Sequence, residues 1–468
     1  MPKVIPASRS TEQHTRVNDA SRVLKRFYVA ERQLMRYLGG WFIQTSQWDL
    51  KFQLATDQWQ AVEHADALRT RVLELRYPRR DVDKKYDPDV LAFMAEVAKA
   101  ADLREFLAGV YEVVLPALVD AYTEYLQRAD PLDDAPTVYL LGHIAGDERR
   151  QIGMVTNLIQ RILPDRPASV DAWCAYLRHY LDSIGGLSGL GEVSARPTDY
   201  ANQPAFEVPR QTKRDERFKP SLFHLPHENK YDKAGQKAWK RIETLDKRVA
   251  MQVWSAISHF NEIWAAEVPI AAMFELTNEP WDFYLDLSRW AWDEARHSMM
   301  GYRAMRGWGW DVPALIPYGN ANYNALAHLP PAQRLALLYY FEESLLRSGL
   351  KQTELKILES AGDDGSIQDM DYDWADEAIH VSFGFKWLRH LLGDDTAGQE
   401  ELKRLTDEAR AVLAEFVLAH KDDEAARLAP FYERLYPIVE AMTHEIPDDG
   451  LDVQWAPVAA DEEALQEL

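Results

Sequence analysis

The tightest constraint on this 468-residue chain is a five-residue pattern that occurs twice, Asp293-Glu-Ala-Arg-His297 and Asp376-Glu-Ala-Ile-His380. Both copies lie in segments with helical periodicity. Residues three apart share a face of a helix, so Glu294 and His297 project together, as do Glu377 and His380. A carboxylate beside an imidazole is a natural chelating pair for a first-row transition metal. Among the 13 histidines, only these two follow a glutamate by three positions, and both pairs also share the Asp before the Glu and the Ala after it. Chance is a poor account of that agreement.

The rest of the chain reads as helix. Two long amphipathic patterns run from Asp19 to about Leu75, followed by stretches near 90–128, 134–163 and 168–184. After a Gly-, Pro- and charge-rich interval, helical periodicity returns over 238–277, 281–306, 331–361, 367–392, 397–420 and 423–443. No run reads as a β-strand, so the expected class is all-α. The expected organisation is a polar N-terminus at 1–18, a helical domain at 19–184, a connector at 185–236, a second helical domain at 237–445 and an acidic tail at 446–468. A loop as long as 185–236 is either a connector packed across both halves or a lid.

Composition removes several function classes. A net charge of −22 repels phosphate backbones and no compact basic stripe offsets it, so nucleic acid is not an expected partner. No stretch approaches eighteen uninterrupted apolar residues, and the first residues lack an apolar signal core. A cytoplasmic protein without membrane partners is therefore expected. Cys174 is the single cysteine, which excludes intrachain disulfides and thiolate-rich metal sites.

A carboxylate-bridged dinuclear site in a four-helix bundle needs a Glu-x-x-His from each of two helices and one Glu from each of the others. The two pairs here lie on the second and fourth helical patterns of the second half. The first pattern offers Glu262, Glu267 and Glu275. Glu267 has the most apolar surroundings (Trp264-Ala-Ala-Glu-Val-Pro-Ile), where a solvated acid would be misplaced and ligation would account for it. Pro269 should bend the helix near that level. The third pattern offers Glu342 and Glu343; periodicity does not separate them cleanly, and Glu343 is favoured. Asp293 and Asp376 are suited to accept an imidazole N–H and orient each ring from behind the ligands.

Residues about 255–392 resemble an uncharacterised bacterial ferritin-like family. The similarity is carried by Asp-Glu-Ala-Arg-His297, by Ser348-Gly-Leu with Glu359-Ser-Ala-Gly-Asp, and by Ala375-Asp-Glu-Ala-Ile-His-Val-Ser-Phe-Gly-Phe-Lys-Trp-Leu388. More broadly the chain resembles the ferritin-like superfamily of di-iron carboxylate proteins, which includes the ribonucleotide reductase small subunit, bacterial multicomponent monooxygenases and aromatic N-oxygenases. The resemblance implies Glu267, Glu294, His297, Glu343, Glu377 and His380 as ligands to two iron ions, or to a Mn/Fe pair. It implies an oxidase or oxygenase that uses O₂ on a small organic substrate, with electrons from a separate reductase, and it is compatible with a homodimer. A ferroxidase or metal-handling protein, and a non-catalytic ferritin-like scaffold, are the alternatives.

The first half reads as a degenerate copy, so that two ferritin-like four-helix bundles stand in tandem. Glu31, Glu63, Glu112 and Glu148 are spaced by 32, 49 and 36 residues, against 27, 49 and 34 for Glu267, Glu294, Glu343 and Glu377. Asp66 and Gln151 stand where imidazoles would be required. The first bundle is therefore expected to hold no di-iron centre and to serve a supporting role.

Overall fold

The computed structural model describes residues 15–198, 200, 204–220 and 231–443, so the acidic tail and most of the polar N-terminus lie outside the described residues. The described chain is all-α. Its one extended pairing is a two-residue parallel match of Lys219–Pro220 with Pro317–Tyr318.

The chain divides into two compact units, residues 1–41 with 56–207 and residues 42–55 with 208–468. The division falls inside the expected connector. It also assigns the end of the first helix and the start of the second to the second unit, which helical periodicity does not reveal.

The chain opens with α1 (Val17–Gln44) and α2 (Trp48–Glu74), continues through α3 (Arg79–Val82), α4 (Pro88–Ala98) and α5 (Leu103–Ala108), then a π-helical turn (Gly109–Val114), α6 (Leu115–Arg128), α7 (Ala135–Ile162) and α8 (Ala168–Ser183). Asp87 caps α4 by accepting from the amides of Asp89 and Val90, with Pro88 at the first helical position, as helix-start chemistry favours. The stretch Leu103–Arg128 is long and apolar enough to cross a membrane, but 72% of its apolar window is buried inside the structure. A helix that is apolar on most sides is the pattern of a buried core element.

The second unit contains α9 (Lys233–Glu243), α10 (Lys247–Asn261), α11 (Ile263–Glu275), α12 (Trp281–Gly307), α13 (Val312–Leu315), α14 (Ala321–Leu326), α15 (Pro331–Ser348), α16 (Leu350–Ala361), α17 (Asp364–Leu392) and α18 (Thr396–Thr443). The expected helix 238–277 is three helices. Its break nearest the site is at Glu262, whose ψ of 0° ends α10 one residue before α11 begins, while Pro269 sits inside α11. The expected helix 331–361 divides at Gly349, whose φ of 71° is a left-handed conformation that glycine adopts at little cost. The last two expected helices are one, α18, which carries Pro430 and Pro437 internally.

Helices α11, α12, α17 and α15 pack in sequence around a common interior, α11 on α12, α12 on α17, α17 on α15 and α15 on α11, with α10 also against α12. The approach of α10 to α12 is set by Gly301. A Cβ there would collide with the Ala256 carbonyl oxygen and the Phe260 amide nitrogen, both backbone atoms that a rotamer change cannot move. Gly301→Ala should therefore destabilise the protein by about 1–3 kcal/mol through overpacking. Gly307→Ala, in the last turn of the same helix with nothing within 4 Å of the added carbon, should be neutral within about 0.5 kcal/mol. Urea denaturation of both variants checks the contrast.

Candidate metal centre

The Glu-x-x-His pairs meet inside the second unit. Glu294 and His297 on α12, and Glu377 and His380 on α17, are all buried, with both histidines at 0% exposure. The two imidazole rings lie 6.0 Å apart, centre to centre.

Four overlapping sets of ligand atoms occur here, each with its atoms within 4.8 Å of one another: Glu294, Glu342, Glu377 and His380; Glu262, Glu294 and His297; His297, Asp373 and Glu377; and His259, Glu262 and Asp373. Glu262, Glu294, His297, Asp373 and Glu377 each belong to two sets. The sets form two adjoining pockets that meet at Glu294 and Glu377, the second extended by His259 beside Glu262 and Asp373. One is completed by Glu342 and His380, the other by Glu262, His297 and Asp373.

Each imidazole has an aspartate behind it. His297 Nε2 lies 3.3 Å from Asp376 Oδ2, within hydrogen-bonding reach, and His380 Nε2 lies 3.5 Å from Asp293 Oδ2 without a hydrogen bond. The pairing is crossed, with the aspartate of each motif behind the histidine of the other. Arg289 and Arg296 contact both aspartates and neutralise that outer layer. With Nε2 turned outward, Nδ1 faces the carboxylates. His297 Nδ1 is 3.3 Å from Glu262, 3.6 Å from Glu294 and 3.5 Å from Asp373. His380 Nδ1 is 3.2 Å from Glu294 and 3.9 Å from Glu342. Trp290 stacks on the His380 ring at 5.4 Å and donates its indole N–H to Glu294 at 3.2 Å.

The electrostatics express a shortage of positive charge. Burial would raise Glu294, but His297 and His380 hold it at about 2. Burial, then the charge of Glu294, pushes Glu377 up to about 8. Burial would strip the proton from each histidine, but the surrounding carboxylates outweigh it. His297 is held well above the ordinary imidazole range and His380 is raised to about 9. Lys351 bonds Asp373 and lies 3.9 Å from Glu377, and Asp373 is held well below the ordinary range despite its burial. Even so, Glu262 Oε2, Glu342 Oε2, Asp373 Oδ1, Glu377 Oε2 and both Nδ1 atoms are buried without a hydrogen-bond partner. Buried polar atoms are normally paired, so four convergent carboxylate oxygens without a donor fit a bound cation, which would take the place of the imidazole protons at Nδ1.

Two of the six residues expected as ligands lie elsewhere. Glu267 is wholly buried, but Lys51 Nζ sits at 2.9 Å, Arg214 grips both its oxygens at 2.8 and 3.1 Å, and Thr212 donates to it. Its apolar context correctly marks a buried acid. The compensating charge, however, comes from the α1–α2 hairpin and the connector rather than from a metal. These cations hold Glu267 below its ordinary range against burial, while burial lowers Lys51 to about 8. Glu275 is likewise occupied, by Arg334 at 3.0 Å, and Glu262 is the α10–α11 acid that reaches the cluster. On α15, Glu342 is buried in the cluster whereas Glu343 turns outward to Tyr339 and Arg347. Asp373, one turn before Glu377 on α17, is a cluster member that the search for Glu-x-x-His overlooks; its i−4 spacing on the same face was the available signal.

In the first unit, only two of the four acids in the suggested repeat come together. Glu31 and Glu148 are buried side by side, Glu63 is exposed, and Glu112 on the π-helical turn is paired with Arg166 at 2.8 Å. Gln151 donates to Gln60 at 2.7 Å. No family model matches the chain, and neither a curated protein nor a solved structure matches it.

The two misplaced acids should separate by stability. Glu267→Ala leaves Lys51 and Arg214 buried without their counter-charge and should cost about 3–5 kcal/mol. Glu343→Ala removes a partly exposed pair and should cost less than about 1 kcal/mol. Denaturant midpoints of the two variants measure the difference.

Proposed function

We propose that the second unit is a ferritin-like four-helix bundle holding two iron ions, and that the protein is an oxidase or oxygenase that uses O₂ on a small organic substrate. The observation that carries this reading is the set of buried, partnerless acceptors grouped in two pockets with two shared carboxylates. Charge supports it. Glu262, Glu294, Glu342, Asp373 and Glu377 face one ammonium, Lys351, and when ionised leave four negative charges that two divalent ions would neutralise. Mixed oxygen and imidazole donors suit iron or manganese, and the absence of thiolate fits neither a zinc-thiolate site nor an iron–sulfur cluster.

In this reading Glu342 and His380 would hold one ion and Glu262, His297 and Asp373 the other, with Glu294 and Glu377 available to both. Asp293 and Asp376 fix the imidazoles so that each Nδ1 lone pair faces inward. Trp290 covers His380 and limits water on that side. Lys351 keeps Asp373 ionised and aims its free oxygen into the pocket. Iron held there would supply electrons for O₂ reduction, to be restored by a separate reductase or an added reductant. The first unit joins the second as a diverged bundle of the same kind, which gives the tandem arrangement.

Anaerobic Fe(II) loading followed by metal analysis should give two ions that depend on this cluster. His297→Ala with His380→Ala should abolish both, and Glu342→Ala should lose at least one. Glu343→Ala should retain both. Retention of both ions in the double-histidine variant overturns the ligand assignment. Oxygen consumption that requires an organic molecule supports the oxygenase reading, whereas consumption proportional to Fe(II) alone turns it into a ferroxidase.

A further inference from the structure

The first unit contains a second convergence of metal-ligating groups that the di-iron reading does not use. Glu31 on α1, His64 on α2 and Glu148 on α7 bring one ligand atom each to within 4.8 Å of one another. Their exposures are 1%, 6% and 0%. Both carboxylate oxygens of Glu148 are buried without a well-formed hydrogen bond, and burial beside Glu31 pushes its carboxyl well above the ordinary range.

The surroundings are arranged as they are behind a ligand set. His64 Nε2 lies 3.4 Å from Asp147 Oδ2, and its Nδ1 lies 3.4 Å from Glu31 Oε1. An imidazole that donates Nε2–H to a carboxylate presents its Nδ1 lone pair, the atom here turned toward Glu31. The Tyr122 hydroxyl on α6 donates to Glu31 Oε1 at 2.9 Å and fixes that carboxylate. A centre at about 2.0–2.2 Å from each donor would draw the three atoms closer together than this separation.

We propose that Glu31, His64 and Glu148 bind one divalent first-row transition-metal ion, a mononuclear site independent of the cluster around Glu294 and Glu377. Two carboxylates and one imidazole balance a divalent charge and match the donor preferences of Fe(II), Mn(II), Co(II) or Zn(II). The ion would tie α1, α2 and α7 together where the expected second pair of Glu-x-x-His motifs is absent. The role of Glu148 does not need the histidine at position 151, because His64 from another helix supplies the nitrogen. The competing arrangement is a proton shared between Glu31 and Glu148 with no ion.

Co(II) is the probe, because its visible absorption reports ligand geometry as well as stoichiometry. In full-length protein carrying His297→Ala and His380→Ala, titration should still give a Co(II) site that raises the melting temperature and that His259→Ala, which removes the imidazole beside Glu262 and Asp373, leaves in place. Adding Glu148→Gln, which preserves shape, should weaken binding by about 100-fold or more, and Asp147→Asn by about 10- to 100-fold. No Co(II) bound in the folded double-histidine variant, or binding unaffected by Glu148→Gln, overturns the proposal. Should the double-histidine variant not fold, anomalous diffraction at the cobalt edge on soaked wild-type crystals decides. A peak among Glu31, His64 and Glu148 supports the site, and density at Glu294 and Glu377 alone refutes it. Because the two locations are read separately, loss of the di-iron reading leaves this result interpretable.

Discussion

The second unit is organised around the cost of putting several carboxylates into one dry interior. Glu262, Glu294, Glu342, Asp373 and Glu377 converge from the α10–α11 junction and from α12, α15 and α17, with one lysine and three imidazoles for company. Like charges so close cannot all stay ionised without a counter-charge. The tension appears as a spread of proton affinities, with Glu294 held at about 2 and Glu377 pushed up to about 8 in the same cavity. Divalent ions relieve that tension directly. The aspartate–arginine layer behind the histidines is already neutral and needs no ion.

The chain meets the same problem differently at Glu267. There the acid is silenced by Lys51, Arg214 and Thr212, drawn from two segments far away in the sequence. This ion pair fastens the hairpin end 42–55 and the connector piece around residue 212 to α11, all within the second unit. A buried pair of this kind is a weak source of net stability but is costly to break on one side only. Its part is to fix where these segments attach.

In the first unit these acids hold different places. Glu112 is an ion-pair partner on a π-helical turn, whereas Glu31 and Glu148 are buried with His64 and Tyr122. A tyrosine hydroxyl and an aspartate-backed histidine around two acids are more structure than a ligand-free supporting core requires.

Local periodicity determined the all-helical class and the two Glu-x-x-His pairs, because i to i+3 spacing places both groups on one face whatever surrounds the helix. The four residues Glu294, His297, Glu377 and His380, with the aspartates behind them, were therefore legible from the chain alone. Choosing among Glu262, Glu267 and Glu275, or between Glu342 and Glu343, was a tertiary matter. Apolar neighbours mark an acid as buried but cannot say whether a metal or a distant lysine answers its charge. Glu267 is met by Lys51 and Arg214, Glu275 by Arg334, and the break at Glu262 leaves that residue in the cluster. His64 escaped notice for the same reason: its partners Glu31 and Glu148 lie on other helices, and contacts between helices leave no period in the sequence.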